Sequence, residues 1–310
     1  MAKIVTLTMN PALDIATSTD QIVPEHKLRC DTPRYDPGGG GINVARAVHA
    51  LGVEALAVFP AGGAAGRSIG QLLQHEGVGY AAVPIAGFTR ESLNVVERTS
   101  GMQYRFVLPG PAVGALDQQR CLDELAGAAA DAHFIVASGS LPQGVAEDFY
   151  GRVVALARDQ GKPLVLDTSG PALRRAGAGV YLLKPSLVEL ESLVGRPLRG
   201  EREEEQAARE LIEHERCEIA LISLGARGAI LASRDAIERL PSIPVAVKSA
   251  VGAGDSMLAG MLVGLTRGLS LREAACFGIA AGAAALLAPG TQLCRLDDVE
   301  RFYRQCPAIR

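Results

Sequence analysis

A glycine-rich turn followed by one carboxylate is the feature of this sequence best suited to chemistry. The segment SAVGAGDSMLAG places Gly252 and Gly254 just before Asp255 and an apolar stretch. We expect a strand before this turn and a helix starting near Asp255. The N–H groups of Gly252, Ala253 and Gly254, with the positive end of that helix, then predict a pocket for a phosphate group. Asp255 either accepts the proton of a substrate hydroxyl during phosphoryl transfer or only caps the helix.

A second glycine cluster, Gly38 to Gly41, also opens a predicted helix. Consecutive glycines let a ligand lie against bare backbone, and Asn43 offers a donor and an acceptor for hydroxyl groups. A flexible turn is the alternative. The cluster fits neither the P-loop pattern nor the G-x-G-x-x-G/A spacing, so neither a P-loop NTPase nor a Rossmann dehydrogenase is supported.

The elements that must position these residues alternate between short β-branched runs and amphipathic helical runs. KIVTLTM, ALAVFPAGG, FIVASGS, PLVLDTSG, VYLLKPS and EIALISLG predict strands, with helices between them. This alternation predicts an α/β fold whose ligands bind where the strands end. The segments at about 17–37 and 88–110 break the pattern, and the second predicts a hairpin that turns at Ser100-Gly101. Together they predict a small β lid.

Composition excludes several classes of partner. The net charge is −3 and Lys and Arg are scattered, so we expect neither nucleic acid nor a membrane surface as a partner. The apolar run from Phe277 is too short for a membrane span and predicts an interior helix. Six cysteines without a C-x-x-C pair, and no targeting segment, favour a cytoplasmic protein with buried thiols. The charged run at 200–216 predicts a solvated helix face.

GGGGINVAR and VGAGDSM, in this order, resemble the two signatures of the PfkB/ribokinase family of carbohydrate kinases. The resemblance extends from Lys3 to the C-terminus. It implies a ribokinase-like three-layer α/β/α sandwich with a small β-sheet lid, formed as a single kinase domain over residues 1–310. TLTMNPALD, PEHKLRC, FPAGGAAG, GMQYRFVLPG, SGSLPQG, LKPS and SLGARGA are most similar to the family's ribokinase-type 6-phosphofructokinases. Such an enzyme transfers a phosphoryl group from MgATP to the C1 hydroxyl of fructose 6-phosphate, a step of glycolysis.

The resemblance implies roles for individual residues. Asp255 corresponds to the catalytic base, and the backbone of Gly252, Ala253 and Gly254 corresponds to the anion hole. The sugar phosphate would be bound by Asp14 at the end of the first strand, Lys27 from a partner subunit, Gly38, Gly39, Asn43, Arg90, Arg105 and Ser138. Without the family, Asp14 is equally a turn residue and the two arginines are surface ion-pair partners.

The resemblance also implies a nucleotide site and its cations. The matched nucleotide positions are Lys184, Ser186, Ser223, Gly225, Gly228 and Ala283. Glu189 and Asp167 would hold Mg²⁺ through water, although Ser186 replaces the asparagine of the family's Asn-x-x-Glu motif. The Asp-Thr pair that precedes the GAGD turn in ribokinases is absent. K⁺ is therefore an open question, with carbonyl groups near Gly290 as its source of ligands.

Two alternative functions stay open at this point. 1-Phosphofructokinase and tagatose-6-phosphate kinase share the catalytic turn, and Asn10 favours them, whereas Gly40 and PEHKLRC favour 6-phosphofructokinase. A catalytically inactive sugar-phosphate sensor would have the same fold. The resemblance further implies a homodimer that pairs through the lid.

Overall fold

Strands and helices alternate along residues 4–306, the part of the chain that the computed structural model describes. The strands are β1 (Ile4–Leu7), β2 (Ala12–Thr19), β3 (Arg34–Gly38), β4 (Ala55–Ala61), β5 (Gly79–Pro84), β6 (Arg90–Glu97), β7 (Gln103–Val107), β8 (Phe134–Ser138), β9 (Leu164–Asp167), β10 (Val180–Leu183), β11 (Cys217–Ser223), β12 (Ala229–Ser233) and β13 (Ile237–Leu240).

The helices are α1 (Gly40–Ala50), α2 (Gly63–Glu76), α3 (Ala115–Ala129), α4 (Phe149–Asp159), α5 (Gly170–Arg175), α6 (Leu187–Val194), α7 (Glu201–Glu213), α8 (Ala253–Thr266), α9 (Leu271–Leu286) and α10 (Leu296–Tyr303). A 3₁₀ turn occupies Gly225–Arg227. Within residues 4–306, no helix is long and apolar enough to cross a membrane.

Nine strands form the main sheet in the order β13-β12-β11-β10-β9-β8-β1-β4-β5. From β11 to β5 every neighbouring pair is parallel, and β12 and β13 add an antiparallel edge. The strand order reverses between β1 and β8, because the chain proceeds from β1 toward one edge and from β8 toward the other. Ligands of open parallel sheets bind at the carboxyl ends of strands near such a reversal.

Two apolar cores cover the two faces of the main sheet. Ile4 belongs to one core and its neighbour Val5 to the other, because successive side chains of a strand point to opposite faces. Helices α1, α2, α8, α9 and α10 cover the first face, and α3 to α7 cover the second. The predicted three-layer α/β/α fold is confirmed, and the Ala- and Gly-rich helix α9 is buried as expected.

The lid is a four-stranded sheet in the order β3-β2-β6-β7. Its β6-β7 hairpin turns at Ser100-Gly101, where Gly101 has a φ of 73°. Strand β2 begins at Ala12, before the expected lid segment, and β1 ends at Leu7. Asp14 therefore lies inside a lid strand, and its placement at the end of the first strand is wrong.

Three smaller expectations are also wrong. The segment before Gly252 is a loop from Pro241 onward and not a strand, whereas α8 begins at Ala253, near Asp255 as predicted. Cys30 is exposed, because it lies in the lid loop and not against a core, whereas the other five cysteines are buried. Helix α7 is not solvated along its whole charged run, since Glu204 is 2% exposed.

Candidate active site

The glycine cluster before α1 is packed too tightly for side chains. Gly39 has a φ of 113°, which disfavours other residues. A Cβ on Gly40 would lie 2.2 Å from Ser138 Oγ at the end of β8. A Cβ on Gly38 would lie 2.1 Å from Asp14 Oδ2, so the bare backbone leaves room for that carboxylate. The flexible-turn alternative does not fit such close packing.

Asp255 occupies the third position of α8, whose N-cap residue Gly252 has a φ of 74°. Its carboxylate accepts a hydrogen bond from Asn43 Nδ2 at 2.9 Å, which joins the two glycine-rich segments. The side chain bonds α1 and does not cap its own helix. Burial raises the pKa of Asp255, against the opposing effects of the Asn43 hydrogen bond and the positive charges of Lys184 and Arg105.

A cavity of about 320 Å³ lies between the lid and the N-terminus of α8. The predicted residues that line it are Asp14, Gly39, Asn43, Arg90, Arg105, Gly252 and Asp255. Its other lining residues are Gly40, Ser92, Leu93, Asn94, Phe106, Val107, Ala250, Val251 and Thr291. The lid therefore supplies one wall of the cavity and the α8 turn supplies the other.

Two carboxylates, Asp14 and Asp255, and two guanidinium groups, Arg90 and Arg105, line this cavity. Burial raises the pKa of Asp14 to about 6, while Arg90 and Arg105 oppose that rise. Burial also lowers the pKa of Arg90, although Asp14 opposes this. Arg90 donates to the carbonyl oxygens of Leu108 and Asn10, and its buried Nε is left without a partner. An anionic group in the cavity would satisfy that donor.

A second cleft of about 280 Å³ lies on the other side of the α8 turn. The predicted residues Ser223, Gly225, Gly228 and Ala283 line it, and Ala253 and Gly254 form its boundary with the first cavity. Small residues dominate this surface, which lets a flat ligand approach the backbone. The first turn of α8 therefore separates two cavities, and its N–H groups have no partner within the helix.

Residues 7–298 match the model of the pfkB family carbohydrate kinases. The chain belongs to this family.

Of three similar proteins, two are named for one activity and the third for another. "ATP-dependent 6-phosphofructokinase isozyme 2" of Mycobacterium tuberculosis is 55% identical over 97% of this chain and 89% of its own. The Escherichia coli protein of the same name is 44% identical over 98% of both chains. A 1-phosphofructokinase of Xanthomonas campestris is 36% identical over 84% of this chain and 83% of its own.

Solved structures give the same fold. E. coli phosphofructokinase-2 in complex with potassium is 41% identical and superposes with a TM-score of 0.94 over 100% of both chains. The same enzyme in complex with fructose 6-phosphate is 40% identical, with a TM-score of 0.92 over 99% of both.

Some predicted kinase residues do not line the cavities. Lys27 lies in the exposed lid loop, Gly38 packs against Asp14, and Ser138 packs against Gly40. Lys184 lies beneath the α8 turn, since a Cβ on Gly254 would be 3.5 Å from its Nζ. Ser186 caps α6. Gly38, Ser138, Lys184 and Ser186 therefore support the walls of the cavities, and Lys27 lies apart from both cavities.

The two predicted metal ligands have protein partners. Asp167 Oδ2 lies 3.2 Å from Lys184 Nζ, and Glu189 Oε2 accepts hydrogen bonds from the backbone N–H and the hydroxyl of Ser186. Burial raises the pKa of Asp167 to about 6, against the charge of Lys184. No cluster of three or more metal-binding side chains occurs within residues 4–306. A cation here would need ligands from water or nucleotide.

Sequence reasoning missed three polar residues that line the first cavity, namely Ser92, Asn94 and Thr291. Asn94 is 5% exposed, and both of its buried amide atoms have no hydrogen-bond partner. Thr291 donates to Asp36, which also faces Arg46 and Arg34. The alternation of the lid strand predicts that Ser92 and Asn94 share a face, but the side chains alone do not tell which face meets the cavity.

Proposed function

We propose that this kinase transfers the γ-phosphoryl group of ATP to the C1 hydroxyl of fructose 6-phosphate, as an ATP-dependent 6-phosphofructokinase. The observation that carries the proposal is the position of Asp255. Asp255 lines the first cavity together with Arg90 and Arg105. The preceding residue, Gly254, lines the second cleft. Two close relatives with this name support the choice of sugar.

In this proposal the first cavity holds the sugar phosphate. Arg90 and Arg105 face its phosphate group, because guanidinium groups bind phosphate through paired hydrogen bonds. Asp14 orients the sugar hydroxyls by accepting hydrogen bonds from them. Asn43 orients them through its side-chain amide. Asp255 then lies within reach of one hydroxyl and accepts its proton as the new O–P bond forms. The Asn43 amide holds the Asp255 carboxylate in place at 2.9 Å.

ATP occupies the second cleft, with its phosphates directed toward the α8 turn. The N–H groups of Gly252, Ala253 and Gly254 and the positive end of α8 stabilise negative charge on the transferring group. Lys184, beneath Gly254, adds a positive charge. Mg²⁺ bound with ATP would neutralise phosphate charge, and the carboxylates of Asp167 and Glu189 have the oxygen chemistry to bind its water ligands.

The experiment that tests this function is initial-rate ADP formation with MgATP and each of three acceptors. Fructose 6-phosphate should be preferred over fructose 1-phosphate and tagatose 6-phosphate, and Asp255→Ala should abolish turnover while retaining sugar-phosphate binding. Preference for either other sugar would assign the chain to one of the rival kinases. Binding without ADP formation by the wild-type protein would indicate a sensor.

We also propose a homodimer that forms through the lid, on the face that carries Tyr35, Leu93 and Phe106. An apolar row crosses the four lid strands, because Tyr35 pairs with Ile15, Ile15 with Leu93 and Leu93 with Phe106. Tyr35, Leu93 and Phe106 are 48%, 37% and 51% exposed. A second lid covering this row would bury it. Lys27, in the loop between β2 and β3, would then reach the partner's sugar phosphate.

Tyr35→Asp tests the dimer, because a charge placed in a buried apolar row opposes association. We expect sedimentation to show that this variant is a monomer. Initial-rate assays should show a raised KM for the sugar phosphate. Glu218→Lys, which changes an exposed side chain of β11, serves as the control. A wild-type monomer with full activity at high dilution would contradict the proposal.

We also propose a potassium site and a cytoplasmic location. Ser249 donates to the carbonyl oxygen of Gly290 at 2.7 Å, so carbonyl-rich loops meet beside the α8 turn. The E. coli relative solved with potassium supports a monovalent cation there. Replacing K⁺ by tetramethylammonium should then lower the rate. A cytoplasmic location agrees with six free cysteines.

A further inference from the structure

Glu204 is a charged residue that the proposed chemistry does not use. It lies on α7, outside both cavities, and it is 2% exposed. Its neighbours Glu203 and Glu205 in the same run are more exposed. A carboxylate is seldom buried unless it is paired, so its position needs a reason.

Two arginines from separate segments converge on this carboxylate. Arg227 donates to Glu204 Oε1 at 2.8 Å and to Oε2 at 3.1 Å, which is a bidentate pair. Arg239 donates to Oε2 at 2.8 Å and, through Nε, to Glu205 at 2.6 Å. These hydrogen bonds keep the pKa of Glu204 below its usual value, with the Arg227 bond as the largest cause.

Both arginines lie outside the second cleft, in segments whose nearby residues line it. Arg227 lies between Gly225 and Gly228, which line that cleft. Arg239 lies in β13, and the chain continues from β13 to Ser242 and Ile243, which line it as well. The two walls touch, since Ser242 Oγ donates to the carbonyl oxygen of Ala226 at 2.6 Å.

We propose that Glu204 is a positioning residue for the nucleotide site. It holds the 225–228 turn and the 240–243 segment at a fixed separation from outside the cleft, acting through Arg227 and Arg239. The inference rests on the proposed placement of ATP in this cleft. The sugar cavity shares neither segment, so the effect should be confined to the nucleotide.

Glu204→Gln tests the proposal, with Glu205→Gln as the matched control. Each variant removes one carboxylate from α7. In the wild-type protein both glutamates accept a hydrogen bond from Arg239, but only Glu204 accepts hydrogen bonds from Arg227. We expect Glu204→Gln to raise the KM for ATP roughly three- to tenfold and to leave the KM for fructose 6-phosphate unchanged. Glu205→Gln should change neither constant.

Arg227→Met provides a second route, since it removes the guanidinium and leaves Glu204 paired with Arg239. It should raise the KM for ATP by a similar factor, and the double variant Glu204→Gln/Arg227→Met should be no worse than the single variants. Equal rises in both KM values, or a Glu204→Gln constant that matches the Glu205→Gln constant, would overturn the proposal. Failure of the kinase function itself would appear separately, as absence of turnover in the wild-type protein.

Discussion

Asp14→Asn should stabilise the ligand-free protein while it weakens sugar binding. Asparagine has the shape of the neutral acid, so the substitution removes the charge without opening a cavity. The pKa of Asp14 is raised from 3.8 to about 6. At about 1.4 kcal/mol for each unit of pKa, the ionised carboxylate destabilises the folded state by about 3 kcal/mol at pH 7.

The sign of this effect fixes its pH dependence. The folded state binds this proton more tightly than the unfolded state, so the contribution of Asp14 to stability is greatest below pH 3.8 and is lost as the pH rises through about 6. The variant lacks this titration. Its advantage should therefore be about 1.6 kcal/mol at pH 5 and about 3 kcal/mol at pH 7.

Urea unfolding of both proteins at these two pH values measures the difference. Asp131→Asn, at an exposed aspartate, is the control and should change little. The same preparations should show a raised KM for fructose 6-phosphate in Asp14→Asn and an unchanged KM for ATP. A variant that is less stable than the wild type at pH 7, or an advantage that does not grow with pH, would refute the reasoning from burial.

Two further substitutions test the same cavity. Asp255→Asn should lower kcat by about 10³-fold with little change in either KM, because a general base contributes at that level. Stopped-time assays of ADP formation measure this loss. A loss of kcat below tenfold would contradict the role of Asp255 as the base. Asn94→Leu should raise the Tm of the free protein, since it replaces two unpartnered buried atoms, and should raise the KM for the sugar phosphate. Thr6→Val, which removes a buried hydroxyl that also has no partner, is the control and should raise the Tm without changing the KM for the sugar phosphate. A lowered Tm in Asn94→Leu would show that the Asn94 amide stabilises the free protein.

The sequence predicted the parts of this site that depend on local rules. Glycines that must turn the backbone and the hairpin turn at Ser100-Gly101 are visible as residue types at fixed spacing. The strands and helices of the main sheet follow from hydrophobic periodicity. The separate strand β2 is not predicted, because the prediction places Asp14 at the end of the first strand. Asn10-Pro11 interrupts the chain between Leu7, where β1 ends, and Ala12, where β2 begins.

The remaining residues depend on contacts between distant segments. Asn94 and Ser92 alternate with apolar residues on a lid strand, and only the pairing of β6 with β2 and β7 turns their face toward the cavity. Glu204 belongs to a run of charges that predicts solvent exposure. Its burial results from Arg227 and Arg239, which approach it from the 3₁₀ turn at Gly225–Arg227 and from β13, both later in the chain.

The two cavities draw on different parts of the chain. Apart from the α8 turn and Thr291, the residues that line the first cavity precede Pro111, whereas the second cleft is lined by residues from Ser223 onward. Under the proposed function, acceptor recognition is thus encoded mainly before Pro111 and donor recognition mainly from Ser223 onward. Changes that accumulate between residues 12 and 110 can alter the accepted sugar while ATP recognition is inherited intact. A hybrid chain that exchanges this segment with a relative of different preference would separate the two specificities in one step.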